Sequence, residues 1–170
     1  MRKLPKYKHC FICGDENDGG TRMTWIETEN GVQGKYYCMK KHSGFEAIIH
    51  GGVLSGLLDE CVGWAVALKK KRFCFTGELN VRFLMPVAVD SEIVIKGNIA
   101  DDQPIGKKYF VATGEIVDTD GKVYATCEAK FFPMPKEMDE AVIEKLELPE
   151  DSPVRSVREY LWSNSVQKSD

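Results

Sequence analysis

The sequence predicts an α+β fold in which an antiparallel sheet wraps around one long central helix, followed by a C-terminal helical extension. Three observations carry this. Residues 51–68 are apolar on nearly every helical face: Val53, Leu54, Leu57, Leu58, Cys61, Val62, Trp64, Ala65 and Val66. A helix of that kind expects burial on most sides. Two strand-like segments precede it and four follow, giving the order β-β-α-β-β-β-β. With a single helix to cover it, the sheet must curl around that helix.

The elements follow in order. Residues 1–22 read as irregular, with the turn-rich run Gly14-Asp15-Glu16-Asn17-Asp18-Gly19-Gly20. Residues 23–28 and 32–39 form a hairpin, because Glu29-Asn30-Gly31 between them carries the Asn-Gly signal of a tight turn. Gly56 and Gly63 each cost the helix about 1 kcal/mol relative to alanine. That cost points to close approach of a sheet or a ligand. The later strands are expected at residues 73–85, 91–100, 108–118 and 123–132. Pro86 ends the first, and Asp118-Thr119-Asp120-Gly121 turns between the last two. In the tail, Met138, Val142 and Leu146 share a helical spacing of four. Ser152-Pro153 reads as the cap and first turn of a short helix ending near Trp162. The expected division is a domain over 1–135, with 1–22 as its irregular N-terminal segment, and a helical, acidic tail over 136–170.

The 170 residues suit one domain with a sizeable core. Net charge is −3, and most of it lies in the tail, where residues 136–170 hold nine acids and five bases. No basic stripe of the kind nucleic acid requires is present. Lys69-Lys70-Lys71-Arg72 is the densest basic cluster. It reads as a solvated helix end whose cations suit the last carbonyls, with a phosphate-binding patch as the alternative. No apolar stretch follows the basic N-terminal residues, and the apolar run 53–68 reads as too short and too charged to cross a bilayer. The expected location is the cytoplasm. Cys61, Cys74 and Cys127 are expected as buried free thiols.

The motif of interest is His50-Gly51-Gly52-Val53-Leu54-Ser55-Gly56-Leu57-Leu58-Asp59-Glu60-Cys61, followed by Gly77-Glu78-Leu79-Asn80-Val81-Arg82-Phe83-Leu84-Met85-Pro86. The first resembles the helix motif of hotdog-fold thioesterases related to those of the phenylacetic acid pathway, and the second resembles the same family's third strand. His42-Ser43-Gly44-Phe45 and Cys10-Phe11-Ile12-Cys13-Gly14 are similar to one subgroup. The resemblance spans roughly residues 7–133. It implies the hotdog fold, hydrolysis of acyl-CoA thioesters without a cofactor, and a homodimer or dimer of dimers. It also implies composite sites, with Gly51 from one subunit and Asp59 and a strand hydroxyl from the other. Aligning the strand motif puts Thr76 at the hydroxyl position. Residues 42–49 lack the Asn that many members carry before the His-Gly-Gly, with His42 or Glu46 as possible substitutes. That departure keeps open a protein that binds acyl-CoA without cleaving it. A hotdog dehydratase or hydratase is a third reading, which the His-Gly-Gly start matches poorly.

The chemistry agrees with the motif. Thioester hydrolysis needs a donor for the charge that builds on the carbonyl oxygen and a group that activates water. Two glycines at a helix start expose unpaired N–H groups and admit a ligand closely. Such a donor is worth about 3–4 kcal/mol in a well-studied case. Gly51 N–H is the predicted donor, and Gly52 the residue that permits approach. Asp59 is the predicted base or nucleophile, with a solvated or hydrogen-bonded surface acid as the alternative. Nine residues at ~1.5 Å rise put it about 13 Å beyond the helix start, too far to act on a carbonyl held there. Glu60, about 100° around the helix, is the alternative candidate for the exposed member of the pair. His50 reads as a helix-start residue at the substrate site. Arg82, Lys107 and Lys108 are candidates for the CoA phosphates, with ordinary surface charge as the alternative for each. No metal is assigned. Cys10 and Cys13 have no second Cys-x-x-Cys, although Cys38 and His42 are candidates to complete a set, and a packed N-terminal turn is expected there.

Overall fold

The computed structural model describes residues 1–100 and 108–162. The strands are β1 (Arg2–Lys3), β2 (Ile26–Thr28), β3 (Gly31–Tyr37), β4 (Ser43–Phe45), β5 (Ile48–Ile49), β6 (Cys74–Phe83), β7 (Glu92–Ile99), β8 (Phe110–Val117) and β9 (Val123–Pro133). The helices are α1 (Gly51–Lys70), α2 (Lys136–Lys145) and α3 (Val157–Trp162). Seven strands form one antiparallel sheet in the order β1-β2-β3-β7-β8-β9-β6. The expected α+β architecture is therefore present, and β4 and β5 add a small hairpin that feeds α1.

Helix α1 lies in the hollow of the sheet. Leu57, Leu58, Cys61, Val62 and Val66 are fully enclosed. They meet alternate residues of the strands: Ile93 and Ile95 of β7, Ala112 and Ile116 of β8, Ala125, Ala129 and Phe131 of β9. This period-two alternation puts one face of each strand on the helix and the other in water. At 20 residues α1 is, contrary to expectation, long and apolar enough to cross a membrane, but 56% of its apolar window is buried against the fold. Gly56 does accept a close neighbour, which is Ile12 of the N-terminal segment rather than the sheet: a Cβ there would lie 2.9 Å from Ile12 Cδ1. Gly63 has ordinary room, with the Phe131 ring 3.5 Å from a Cβ.

Strand β6 is an edge strand, paired only with β9. Its register shifts between Thr76 and Glu78, leaving Gly77 as a bulge. A Cβ on Gly77 would lie 2.4 Å from the Phe132 ring, so glycine is required there. One extra residue reverses the side-chain alternation. Thr76 before the bulge and Leu79, Val81 and Phe83 after it share the helix-facing side. Glu78, Asn80 and Arg82 share the outer side, where Glu78 pairs with Lys130 at 2.8 Å.

The tail packs on its own chain. Arg2 bonds the Tyr160 carbonyl, Tyr160 Oη donates to the Lys3 carbonyl at 2.8 Å, and Tyr160 and Leu161 are buried. The predicted α2 stripe is corrected at Met138, which is exposed; Leu146 packs against the core, and Asp139 and Ile143 are the buried positions. Asp139 turns inward because its carboxylate accepts the Phe73 N–H at 2.7 Å. The α3 start is also corrected. Its N-terminal amides bond Ser156, while Ser152 closes a separate turn with Val154.

Candidate active site

The start of α1 is built by His50. Its backbone is extended and its Nδ1 accepts the Gly52 N–H at 2.8 Å, a side-chain N-cap. Val53 and Leu54 N–H groups bond the His50 carbonyl. Among the described residues, Gly51 N–H has no protein acceptor, and it is the free donor of the first helical turn. Gly52 serves the cap instead: a Cβ there would sit 2.9 Å from His50 Nδ1, so glycine makes room for the imidazole. A Cβ on Gly51 would touch the Phe83 ring of β6 at 3.3 Å. The free amide therefore lies beside an exposed aromatic side chain of the edge strand.

Two turns further along α1, Asp59 is half-buried and accepts a hydrogen bond from Thr76 Oγ1 at 2.7 Å. Burial pushes the Asp59 carboxyl above its ordinary value, and the Thr76 hydroxyl offsets part of that rise. A carboxylate so placed is a stronger base than a solvated one, and its orientation is fixed by the hydroxyl. Gly51 and Asp59 lie at separated points along one helix, and β6 reaches both, through Phe83 and through Thr76.

The other predicted contributors are dispersed. Arg82 is exposed on the outer face of β6, away from Asp59, where it borders a cleft of about 1130 Å³ with Asn80, Lys96, Thr126 and Glu128. That cleft contains none of Gly51, Asp59 and Thr76. Lys108 is exposed just before β8. Lys107 lies outside the described residues. His42 is buried with both ring nitrogens engaged, Nδ1 with Tyr36 Oη at 2.5 Å and Nε2 with the Gly19 carbonyl at 2.8 Å, and Glu46 is exposed.

Glu60 is the main correction. It is not the exposed member of the acidic pair: Trp25 Nε1 donates to Oε1 at 2.9 Å and Cys10 Sγ to Oε2 at 2.9 Å. Burial, with the Cys10 sulfur beside it, pushes the Glu60 carboxyl up to about 8. The Cys13 thiol and neighbouring amides hold Cys10 down at about 5. The pairing was hidden in the sequence by a separation of 50 positions, and the Cys-x-x-Cys-Gly run was its one visible sign.

Residues 46–125 match the family profile described as thioesterase superfamily. No curated protein sequence matches the chain significantly. Solved structures do. A thioesterase superfamily protein is 24% identical with a TM-score of 0.66, over 74% of this chain and 60% of the other, so this chain spans less than two thirds of that neighbour. A hypothetical thioesterase from Streptococcus pneumoniae, solved with coenzyme A, is 18% identical with a TM-score of 0.57, over 64% of this chain and 85% of the other. Structures of that protein with one aspartate or one threonine replaced by alanine match as well. The E. coli PaaI protein from the phenylacetic acid degradation operon is 19% identical with a TM-score of 0.56, over 64% of this chain and 80% of the other. With its long helix held in a curled antiparallel sheet, the chain has the hotdog fold, and its residues 46–125 match the thioesterase superfamily profile.

Proposed function

We propose that the protein is an acyl-CoA thioesterase, hydrolysing a small, medium-chain or aryl acyl-CoA to the free acid and CoA in a dimer with composite sites. The observation that carries this is the Thr76–Asp59 hydrogen bond on an edge strand paired on one side only, with a free Gly51 amide at the start of the same helix. Strand β6 is ten residues long, and Phe75, Phe83 and Leu84 along its edge are exposed. An edge of that length and apolarity expects a partner. Antiparallel pairing of β6 with a second copy about Leu79 and Asn80 sets Thr76 opposite Phe83 of the partner subunit. A two-fold axis makes the arrangement reciprocal. Since Phe83 lies against Gly51, each Asp59 then faces the partner's Gly51. The amide polarises the thioester carbonyl, Asp59 activates water or attacks directly, and Thr76 orients the carboxylate. The coenzyme A seen in the S. pneumoniae neighbour supports a CoA ester as substrate. Arg82 and Lys108 fit this scheme as phosphate contacts only across such an interface. The proposed compartment is the cytoplasm.

The test is thiol release from short-, medium-, long-chain and aryl acyl-CoAs. Hydrolysis of at least one class is expected. Binding of CoA esters, seen as a rise in Tm, without thiol release from any class would favour the non-hydrolysing acyl-CoA binder instead. Mixing experiments test the composite site. Gly51→Pro deletes the amide donor at N1, where proline is tolerated. Gly51→Pro and Asp59→Asn are each expected to be inactive alone. Mixed and refolded together they should recover about a quarter of wild-type activity, since half the dimers are mixed and each has one intact site. No recovery would place Gly51 and Asp59 in one subunit's site.

A further inference from the structure

The N-terminal segment and α1 build a second cluster that thioester chemistry does not use. Cys10 Sγ, Cys13 Sγ and a Glu60 carboxylate oxygen all lie within 4.8 Å of one another. We infer that Cys10, Cys13 and Glu60 form a binding site for a thiophilic divalent cation of the zinc class, with a fourth position open to water.

Four features of the geometry point to a ligand rather than to packing. The backbone amides of Ile12 and Cys13 both aim at Cys10 Sγ, at 3.3 and 3.5 Å. Two N–H donors on one sulfur stabilise a thiolate, the form that binds metal. The turn is closed by Gly14 N–H on the Cys10 carbonyl at 3.0 Å, and it admits no side chain at that position: a Cβ would meet the Lys8 carbonyl oxygen at 2.4 Å. It therefore swings both sulfurs to one side. Third, Trp25 Nε1 holds Glu60 Oε1 and leaves Oε2 turned toward the sulfurs. A ligating carboxylate oriented by an outer hydrogen bond is the usual second layer of a metal site. Fourth, Cys13 is buried while Cys10 and Glu60 are partly open, so an ion has a path in and water can reach the remaining position. Two sulfurs and one oxygen are a donor set for zinc, which favours four-coordinate sites of thiolate, imidazole and carboxylate.

Loading the site releases every proton held by the two thiols and the Glu60 carboxyl. The two thiolates and the Glu60 carboxylate then become the donors, and no oxidation occurs. The bound ion would link the N-terminal segment to α1 one residue from Asp59. The site stands independently of the thioesterase reading, because none of its groups belongs to the Asp59–Thr76 pair.

The experiment is a Co²⁺ titration of the full chain after reduction and removal of metal by a chelator. The expected result is a thiolate-to-cobalt charge-transfer band with tetrahedral visible bands, saturating near about one ion per chain and displaced by Zn²⁺. Cys10→Ser and Cys13→Ser should each weaken cobalt binding by at least about tenfold, while Cys38→Ala, a buried thiol outside the cluster, keeps the band. Glu60→Gln should retain the charge-transfer band with weakened affinity. Circular dichroism of the metal-free variants separates lost binding from lost fold. The inference is overturned if the folded wild type gives no charge-transfer band. It is equally overturned if the band survives in both serine variants, or if the two cysteines form a disulfide and the reduced protein takes up no ion.

Discussion

Asp59 and Glu60 are adjacent in sequence and have opposite surroundings. Asp59 leans toward the free edge of the sheet and, among the described residues, accepts one hydrogen bond, from the Thr76 hydroxyl. Glu60 turns inward to the N-terminal segment, and both its oxygens are bonded, one by an indole N–H and one by a thiol. One residue of helix rotates the side chain by about 100°, enough to carry it from the free edge of the sheet to the N-terminal segment. An incompletely satisfied carboxyl near an open edge is available for chemistry, whereas a doubly bonded one is committed to holding structure or a ligand. The pair therefore separates into a proposed reaction side and an anchoring side of the same helix.

The largest expected effect tests the reaction side. Asp59→Asn keeps the size and the Thr76 contact but removes the base. Thiol release should fall by about 10²–10⁴-fold. Tm should not fall, because a carboxyl whose charged form is penalised by burial is being replaced by a neutral amide. Retained turnover would reassign the base.

The anchoring side should respond in stability instead. Glu60→Ala strands the Trp25 N–H in the core and is expected to cost about 1–3 kcal/mol in urea denaturation. Trp25→Phe removes one hydrogen bond and some packing and should cost about 1 kcal/mol or somewhat more. If Glu60→Ala proves neutral, the contrast between the two acids fails, because the pocket then tolerates an orphaned donor. A smaller effect is expected at the helix start: His50→Ala loses the N-cap and should cost about 1 kcal/mol.

Much of this contrast was legible in the sequence, and the illegible part has a common cause. The long helix, the strand order and the pairing of Asp59 with Thr76 follow from local periodicity and from motifs that resemble a known family. What was missed depends on contacts remote in sequence. Nothing local distinguishes which of two adjacent acids is covered, since that depends on where residues 10–13 and Trp25 pack. Gly52 reads as room for a ligand until the His50 ring is seen to occupy that room. In α2 the spacing of Met138, Val142 and Leu146 located the packed face only in part: Leu146 meets the core and Met138 is exposed, while Asp139 turns inward onto the Phe73 N–H. The bulge at Gly77 is likewise invisible without its β9 partner, yet it is what turns both Thr76 and Phe83 toward the helix.

The finest test of the comparison is the pH dependence of hydrolysis, which reads Asp59 alone. The carboxyl must be ionised to act as base, so activity should rise with pH through the Asp59 pKa and be lost as pH falls below it. Burial sets that pKa above the ordinary carboxylate value, and the hydrogen bond from Thr76 pulls it partly back. Thr76→Val removes the donor while keeping the side-chain shape. The pull downward disappears, the carboxyl rises further, and the acidic limb of the kcat profile should move to higher pH, with the alkaline plateau lowered only by the loss of orientation. A limb that stays in place would mean that the hydroxyl holds something other than the ionised carboxylate. A limb that moves to lower pH would mean that Thr76 stabilises the protonated acid, and the roles of donor and acceptor in that hydrogen bond would be reversed.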